Sequence, residues 1–284
     1  RIGRSAAFPY GLSGTGYKCE SPADQTVDGS MSAGFKDHFS NKAAAYAAHR
    51  PTYPPALAEF LAEISPGRDC AWDCGCGSGQ LSVLLAPHFA RVIGTDASAQ
   101  QITKAKAHPR VSYMCAPAEE SGLPAHSCDV IVAAQAAHWF DLDRFYQEAR
   151  RVGRPGAAIA LISYGIFRID SVIDPVIARF YTGTLGPYWP PERRHVEEGY
   201  RSLAFPFPEL APPAFAIAVD WNFIDLLGYI TTWSAVAALE RAGKGAALEA
   251  FREELGRAWG HPETKRTVRW PIALRAGHIG SRAR

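Results

Sequence analysis

From Asp69 onward, short apolar runs alternate with longer amphipathic ones. "DCAWDCG" (69–75) predicts a buried strand and "GQLSVLLAPHF" (79–89) the helix that follows it. "RVIGTD" (91–96) and "SAQQITKAKAH" (98–108) repeat the pair. "VSYMCA" (111–116) and the almost wholly apolar "CDVIVAAQ" (128–135) predict a third and a fourth strand. "DLDRFYQEARRV" (141–152) has aspartates at its start and arginines at its end, which suits a helix dipole. "GAAIALISYG" (156–165) predicts a fifth strand. Apolar strands separated by helices form a parallel sheet covered on both faces. Such a sheet takes its ligand at the carboxyl ends of the strands, near the point where strand order reverses.

After Gly165 the alternation lapses. Residues 166 to about 213 are rich in proline and aromatic residues, among them Phe167, Phe180, Tyr181, Tyr188, Trp189 and Tyr200. They predict an insertion that acts as a lid. "FAIAVDWNF" (215–223) returns to strand, and 225–240 and 246–259 read as helices. "TKRTVRWPIALRAGHI" (264–279) predicts a last strand, in which Pro271 implies an edge position or a bulge because it has no N–H to give a ladder. Upstream, "SNKAAAYAAH" (40–49) reads as a helix capped by Ser40 and stopped by "RPTYPP". A second helix follows at about 55–64. Residues 1–30 are rich in Gly, Ser and Pro and show no period. They read as a disordered extension ahead of one domain spanning 31–284, without the apolar stretch of a signal peptide.

Composition narrows the function. The 284 residues carry a net charge of +2, which gives no electrostatic case for a nucleic-acid or membrane partner. No apolar run approaches the ~18 residues of a spanning helix. The six cysteines are sparse for this length and read as reduced, in a cytoplasmic protein. Cys70, Cys74 and Cys76 do not have the spacing of a zinc site, so no metal is expected.

The candidate chemistry lies in "WDCGCGSGQ" (72–80). Gly75, Gly77 and Gly79 follow a strand and open a helix, the context of a nucleotide-type loop. Their spacing is G-x-G-x-G, not the G-x-G-x-x-G of dinucleotide binding. Asp73 would repel a pyrophosphate and attract an ammonium. Asp96 ends the second strand, where an acid accepts hydrogen bonds from ribose hydroxyls. A ligand with a cationic amino-acid end and a ribose, but no pyrophosphate, describes S-adenosylmethionine and fits NAD poorly.

Three stretches, "DHFSNKAAAYAAHRPTYP", "DCGCGSGQ" and "AAQAAHWFD", resemble the class I S-adenosylmethionine-dependent methyltransferases. The likeness is to the branch that includes trans-aconitate and ubiquinone-type small-molecule methyltransferases. Cys74 and Cys76 stand where many relatives have leucine and another small residue. The resemblance implies a Rossmann-like, mostly parallel seven-stranded α/β sheet with helices on both faces and a lid-like insertion after strand five. It implies that Asp73, Gly75, Gly77 and Gly79 line the methionine end of the cofactor. Asp96 would hold the ribose, with Ala97 and Gln101 beside the adenosine. Ala118 and Glu119 would lie by the adenine, and Gln135 and Ala136 below the sulfonium. Tyr46 and Arg50, four apart, share one helix face. Arg50 is expected to pair with the cofactor carboxylate, the alternative being a solvated arginine at a helix end.

His138 and Trp139 follow strand four, where an acceptor should enter. Methyl transfer is an in-line displacement in which the protein supplies alignment and excludes water. A carboxylate acceptor needs no base. A phenol, thiol or carbon acid does, and His138 is then the candidate, against a structural histidine bonded to backbone. Trp139 is expected beside the cofactor. The expected function is transfer of a methyl group to a small organic acceptor, carboxylate or hydroxyl oxygen favoured. The alternative is a non-catalytic or regulatory adenosylmethionine-binding protein. The insertion mixes five arginines (Arg168, Arg179, Arg193, Arg194, Arg201) with acids and so does not form a basic funnel.

Overall fold

The computed structural model describes residues 51–280. The expected extension at 1–30, the helix at 40–49, and Tyr46 and Arg50 lie outside the described residues. The chain enters α1 (Pro55–Glu63) with proline in its first turn, where the missing N–H costs nothing. It continues through β1 (Cys70–Cys74), α2 (Gln80–Leu85), β2 (Arg91–Asp96), α3 (Ala99–Ile102), β3 (Val111–Cys115), β4 (Cys128–Ala134), α4 (Leu142–Val152) and β5 (Gly153–Tyr164). The strands fall in the order β3-β2-β1-β4-β5-β7-β6, with β6 at Phe215–Trp221 and β7 at Arg266–His278. β1 to β5 pair in parallel, and β7 runs antiparallel to both β5 and β6. The order reverses between β1 and β4, which puts the crevice between the ends of those two strands.

The pleat sorts the core. Val130 and Val132 of β4 pack on one face of the sheet, and Ile131 and Ala133 on the other. β5 divides likewise, Ala158, Ala160 and Ile162 against Ala157, Ile159 and Leu161. At the amino ends of the strands, buried Asp129 accepts from the amides of Asp69 and Cys70, and Arg154 bridges Asp129 and Asp69 at 2.8 Å to each. That end of the sheet is closed by charge, while the carboxyl end is left for chemistry.

Two helices are shorter than their patterns predict. α2 stops at Leu85 because Pro87 has no N–H to continue the helical ladder. α3 spans only Ala99–Ile102, since Thr103, Lys104 and Lys106 are exposed and offer no apolar face to dock. The placement of β7 is a correction. It is an interior strand, not an edge, and β6 is the edge. The β5 ladder begins at Ile272 and the β6 ladder runs up to Ile272, so Pro271 sits where β7 passes from one partner to the other. A missing N–H is tolerated there because the β5 ladder has not yet begun.

The insertion crosses the carboxyl rim. It contains α5 (Ile173–Ala178), which runs on into a π-helical turn at Arg179–Thr184, and then α6 (Arg193–Glu197). Phe167, Ile173, Ile177 and Phe180 join the core on one face; Val196, Tyr200, Leu203 and Phe207 join the core on the other. The residues between them pass over the strand ends. α7 (Phe223–Thr231), α8 (Ser234–Arg241) and α9 (Gly245–Trp259) complete the first face. Among the described residues no helix is long and apolar enough to cross a membrane. Cys70, Cys74, Cys76 and Cys128 are free thiols.

Candidate active site

β1 delivers Asp73 to the crevice and the chain then turns through left-handed backbone at Gly75, Gly77 and Gly79, with φ of 68°, 53° and 77°. Side chains at two of these positions would collide. A Cβ on Gly75 would lie 2.5 Å from the Ala136 methyl, and one on Gly79 would lie 2.0 Å from the Tyr113 hydroxyl. The loop is therefore pressed against the end of β4 on one side and against β3 on the other, with its backbone bare toward the crevice.

Asp73 is 1% exposed. Ser82, one turn into α2, donates to its Oδ2 at 2.5 Å. Its Oδ1 is buried with no hydrogen-bond partner among the described residues. Burial, with the nearby Asp96 charge, raises the Asp73 pKa to about 7. A buried carboxylate oxygen without a donor is costly, and an ammonium is the donor that would relieve it. Asp96 holds the loop from the next strand, accepting from Gly77 N through Oδ2 and from Ser98 N through Oδ1, both at 2.8 Å. Gln101 is near this loop, its Oε1 4.0 Å from where a Gly77 Cβ would stand. Ala97 follows Asp96 at the exposed start of that turn. Ala118 is buried after β3, and Glu119 accepts from the Asp141 amide at 2.8 Å. The structure thus draws Asp73, the three glycines, Asp96, Ala97 and Gln101 into one rim.

Gln135 is the turning point at the end of β4. Its φ is +56°, a strained value for a non-glycine residue. The turn is held by Gln135 N donating to Ile162 O and Gln135 Nε2 donating to Tyr164 O. It places Ala136 under Gly75. A short 3₁₀ turn, Ala137–Trp139, follows and presents His138 and Trp139 with ring centroids 4.8 Å apart. His138 Nδ1 is 2.8 Å from the Tyr200 hydroxyl of the insertion. The backbone amides of Ala137 and His138 face the same phenol oxygen. The imidazole tautomer sets which of the two, the Tyr200 hydroxyl or Nδ1, donates in this bond. Burial, then the Arg193 and His195 charges, lower the His138 pKa to about 3.

Three constituents of this rim escaped sequence reading. Ser82 is one: its signal is a serine nine residues after Asp73, facing back from the first turn of the helix. Tyr113 is a second, and a bulky side chain at that point of β3 carries no pattern of its own. Tyr200 is 62 residues from His138, and no local feature predicts the contact.

The methyltransferase domain model matches residues 72–161, the stretch that carries this loop and the β4 turn. A protein from Dictyostelium discoideum described as a methyltransferase is 34% identical over 229 residues, 79% of this chain and 87% of that one. The chain belongs to the class I S-adenosylmethionine-dependent methyltransferases. A solved structure described as a type II methyltransferase, from Anaeromyxobacter dehalogenans, is 53% identical with a TM-score of 0.78, covering 81% of this chain and 98% of that one. An S-adenosylmethionine-dependent methyltransferase of Saccharomyces cerevisiae shares 29% identity over 124 residues, 40% of this chain and 43% of the yeast protein. S-adenosylmethionine is accordingly the cofactor, and the orphaned Asp73 oxygen and the side-chain-free glycine loop suit its ammonium and its close approach. Within this methyltransferase, Cys74 and Cys76 are thiols whose pKa burial pushes up.

Proposed function

We propose that this methyltransferase moves a methyl group to an oxygen of a small organic acceptor, and that the acceptor oxygen reaches the site already ionised. The observation that carries this reading is the His138–Tyr200 pair. An imidazole with a pKa near 3, its Nδ1 engaged by the Tyr200 hydroxyl, is a poor general base at neutral pH. A carboxylate needs no base, so a carboxyl oxygen is favoured over a neutral hydroxyl. His138 then positions the acceptor through Nε2 instead of removing a proton.

Asp73 holds the ammonium of the cofactor, and Gly75, Gly77 and Gly79 let backbone approach its amino-acid end. Asp96, Ala97 and Gln101 take the ribose and adenosine, and Ala118 and Glu119 border the adenine. Gln135 and Ala136 form the floor under the reacting centre, and Trp139 closes its side. Tyr46 and Arg50 remain candidates for covering the cofactor carboxylate. The cofactor supplies a methyl group made electrophilic by its sulfonium. The chain supplies alignment and a water-poor enclosure, with the insertion at 166–213 as cover. Transfer from radiolabelled S-adenosylmethionine to panels of carboxylic acids, phenols and amines tests this. Base-labile ester products are expected. Products that are only N-methylated, or stoichiometric cofactor binding without transfer to any panel member, would overturn it.

A further inference from the structure

Arg168, Arg179 and Arg194 of the insertion each face a carboxylate, namely Asp174, Glu254 and Glu198. Arg193 forms no ion pair among the described residues, although the Glu197 carboxylate is near enough to support its charge. Its Nε donates to the Tyr181 hydroxyl at 2.8 Å, and that hydroxyl donates to Glu197 Oε1 at 2.8 Å. Its guanidinium carbon lies 5.0 Å from the Trp189 ring centroid and 5.8 Å from that of Tyr181. The terminal nitrogens donate to no acceptor among the described residues. A guanidinium has five N–H donors, and this one has four left over. Trp189, Tyr181, Pro190, Pro191 and Arg193 line a cavity of about 340 Å³.

The position of this cation matters. Arg193 opens α6, at the point where the insertion passes over the strand ends from one face to the other. α6 packs on the 3₁₀ turn Ala137–Trp139 and on β5. Its charge is felt by His138, Tyr200 and Tyr229. A partly buried guanidinium with a free edge, backed by aromatic faces and set over the β4 rim, matches the planar, bidentate geometry of a carboxylate.

We propose that Arg193 is the recognition residue for the acceptor, which carries a carboxylate on the free edge of the guanidinium and lays its apolar body against Trp189 and Tyr181. This inference rests on the methyl-transfer reading of the β4 rim. It makes small organic acids the substrate class. Glu197 is already engaged by Tyr181 and keeps the phenol oriented toward Arg193.

The test compares 3-phenylpropionate with its primary amide, titrated by Trp fluorescence into the full chain with and without S-adenosylhomocysteine. The acid is expected to bind at least tenfold tighter than the amide. Arg193→Gln should abolish that preference while leaving S-adenosylhomocysteine affinity unchanged, and Arg193→Lys should keep part of it. Should Arg193→Gln melt early, Arg193→Lys decides. Equal binding of acid and amide, no binding of the acid, or a preference that survives undiminished in Arg193→Gln or Arg193→Lys overturns the proposal. Failure of S-adenosylhomocysteine to bind would instead overturn the cofactor-site reading, and leaves the acid–amide comparison standing on its own.

Discussion

Ser82 donates to one oxygen of Asp73 and the other oxygen faces no donor among the described residues. Asp73 is therefore half-satisfied among them, and burial, with the nearby Asp96 charge, raises its pKa to about 7. A carboxyl whose folded pKa is raised prefers to stay protonated in the native state. Its contribution to stability is full below the unfolded value near 4 and is lost as pH rises through about 7. The difference is on the order of 4 kcal/mol at 1.36 kcal/mol per unit. Asp73→Asn should therefore raise the melting temperature at pH 8 more than at pH 5, measured by thermal denaturation.

Cofactor affinity should run the other way. The ammonium pairs with the ionised carboxylate, so binding of S-adenosylhomocysteine should tighten as pH rises from about 6 to 8. In Asp73→Asn it should be weak and flat across that range. Calorimetry at several pH values reads both; a wild-type profile without a rise would remove Asp73 from the ammonium role.

Asp96 has two tasks. Asp96→Ala should weaken cofactor binding by roughly 1.5–3 kcal/mol, the worth of a charge-assisted hydrogen bond. Because the carboxylate also secures the amides of Gly77 and Ser98, the variant should lose stability as well, by about 1 kcal/mol per lost bond. Calorimetric affinity combined with denaturant unfolding separates the two effects.

Gly79→Ala should destabilise through two causes. Left-handed backbone costs a non-glycine residue roughly 1–2 kcal/mol, and the new methyl meets the Tyr113 hydroxyl. Tyr113→Ala in the same chain should restore the second part and not the first. Urea unfolding of the single and double variants measures the non-additivity.

His138 is neutral throughout the physiological range if its pKa is near 3. The rate profile between pH 6 and 9 should then show no inflection that His138→Gln removes. The folded state should weaken as pH falls from about 6.5 toward 3, because the unfolded imidazole takes a proton that the native one refuses. Tyr200→Phe should raise KM for the acceptor more than it lowers kcat, since the phenol orients the ring without touching the reacting atoms.

The meeting of Asp73, the three glycines and Asp96 at one rim was legible because it is local. Asp73 and the glycines are contiguous, and Asp96 follows after a single helix, so a strand–loop–helix–strand pattern brings them together without knowledge of the sheet. The acceptor side was not legible in the same way. His138 meets Tyr200, and Arg193 meets Trp189 and Tyr181, only after the insertion has crossed the rim, and no short-range period encodes that path. Pro271 shows the same limit. Its missing N–H marks a gap in a ladder, but an edge strand and a change of partner within one interior strand leave the same trace in sequence.

The interior position of β7 also bears on how the chain is made. During synthesis β1 to β5 emerge ahead of β7, and β5 lacks one of its two sheet neighbours until residues 272–278 arrive. β6, already exposed, has no partner until the same segment delivers Arg266–Ile272. Two unpaired strand edges thus wait on one late stretch, and unpaired edges invite pairing with other chains. A ribosome-bound chain halted before Arg266 should therefore be more prone to self-association than one halted beyond His278, and the last strand to arrive is the one that seals the sheet.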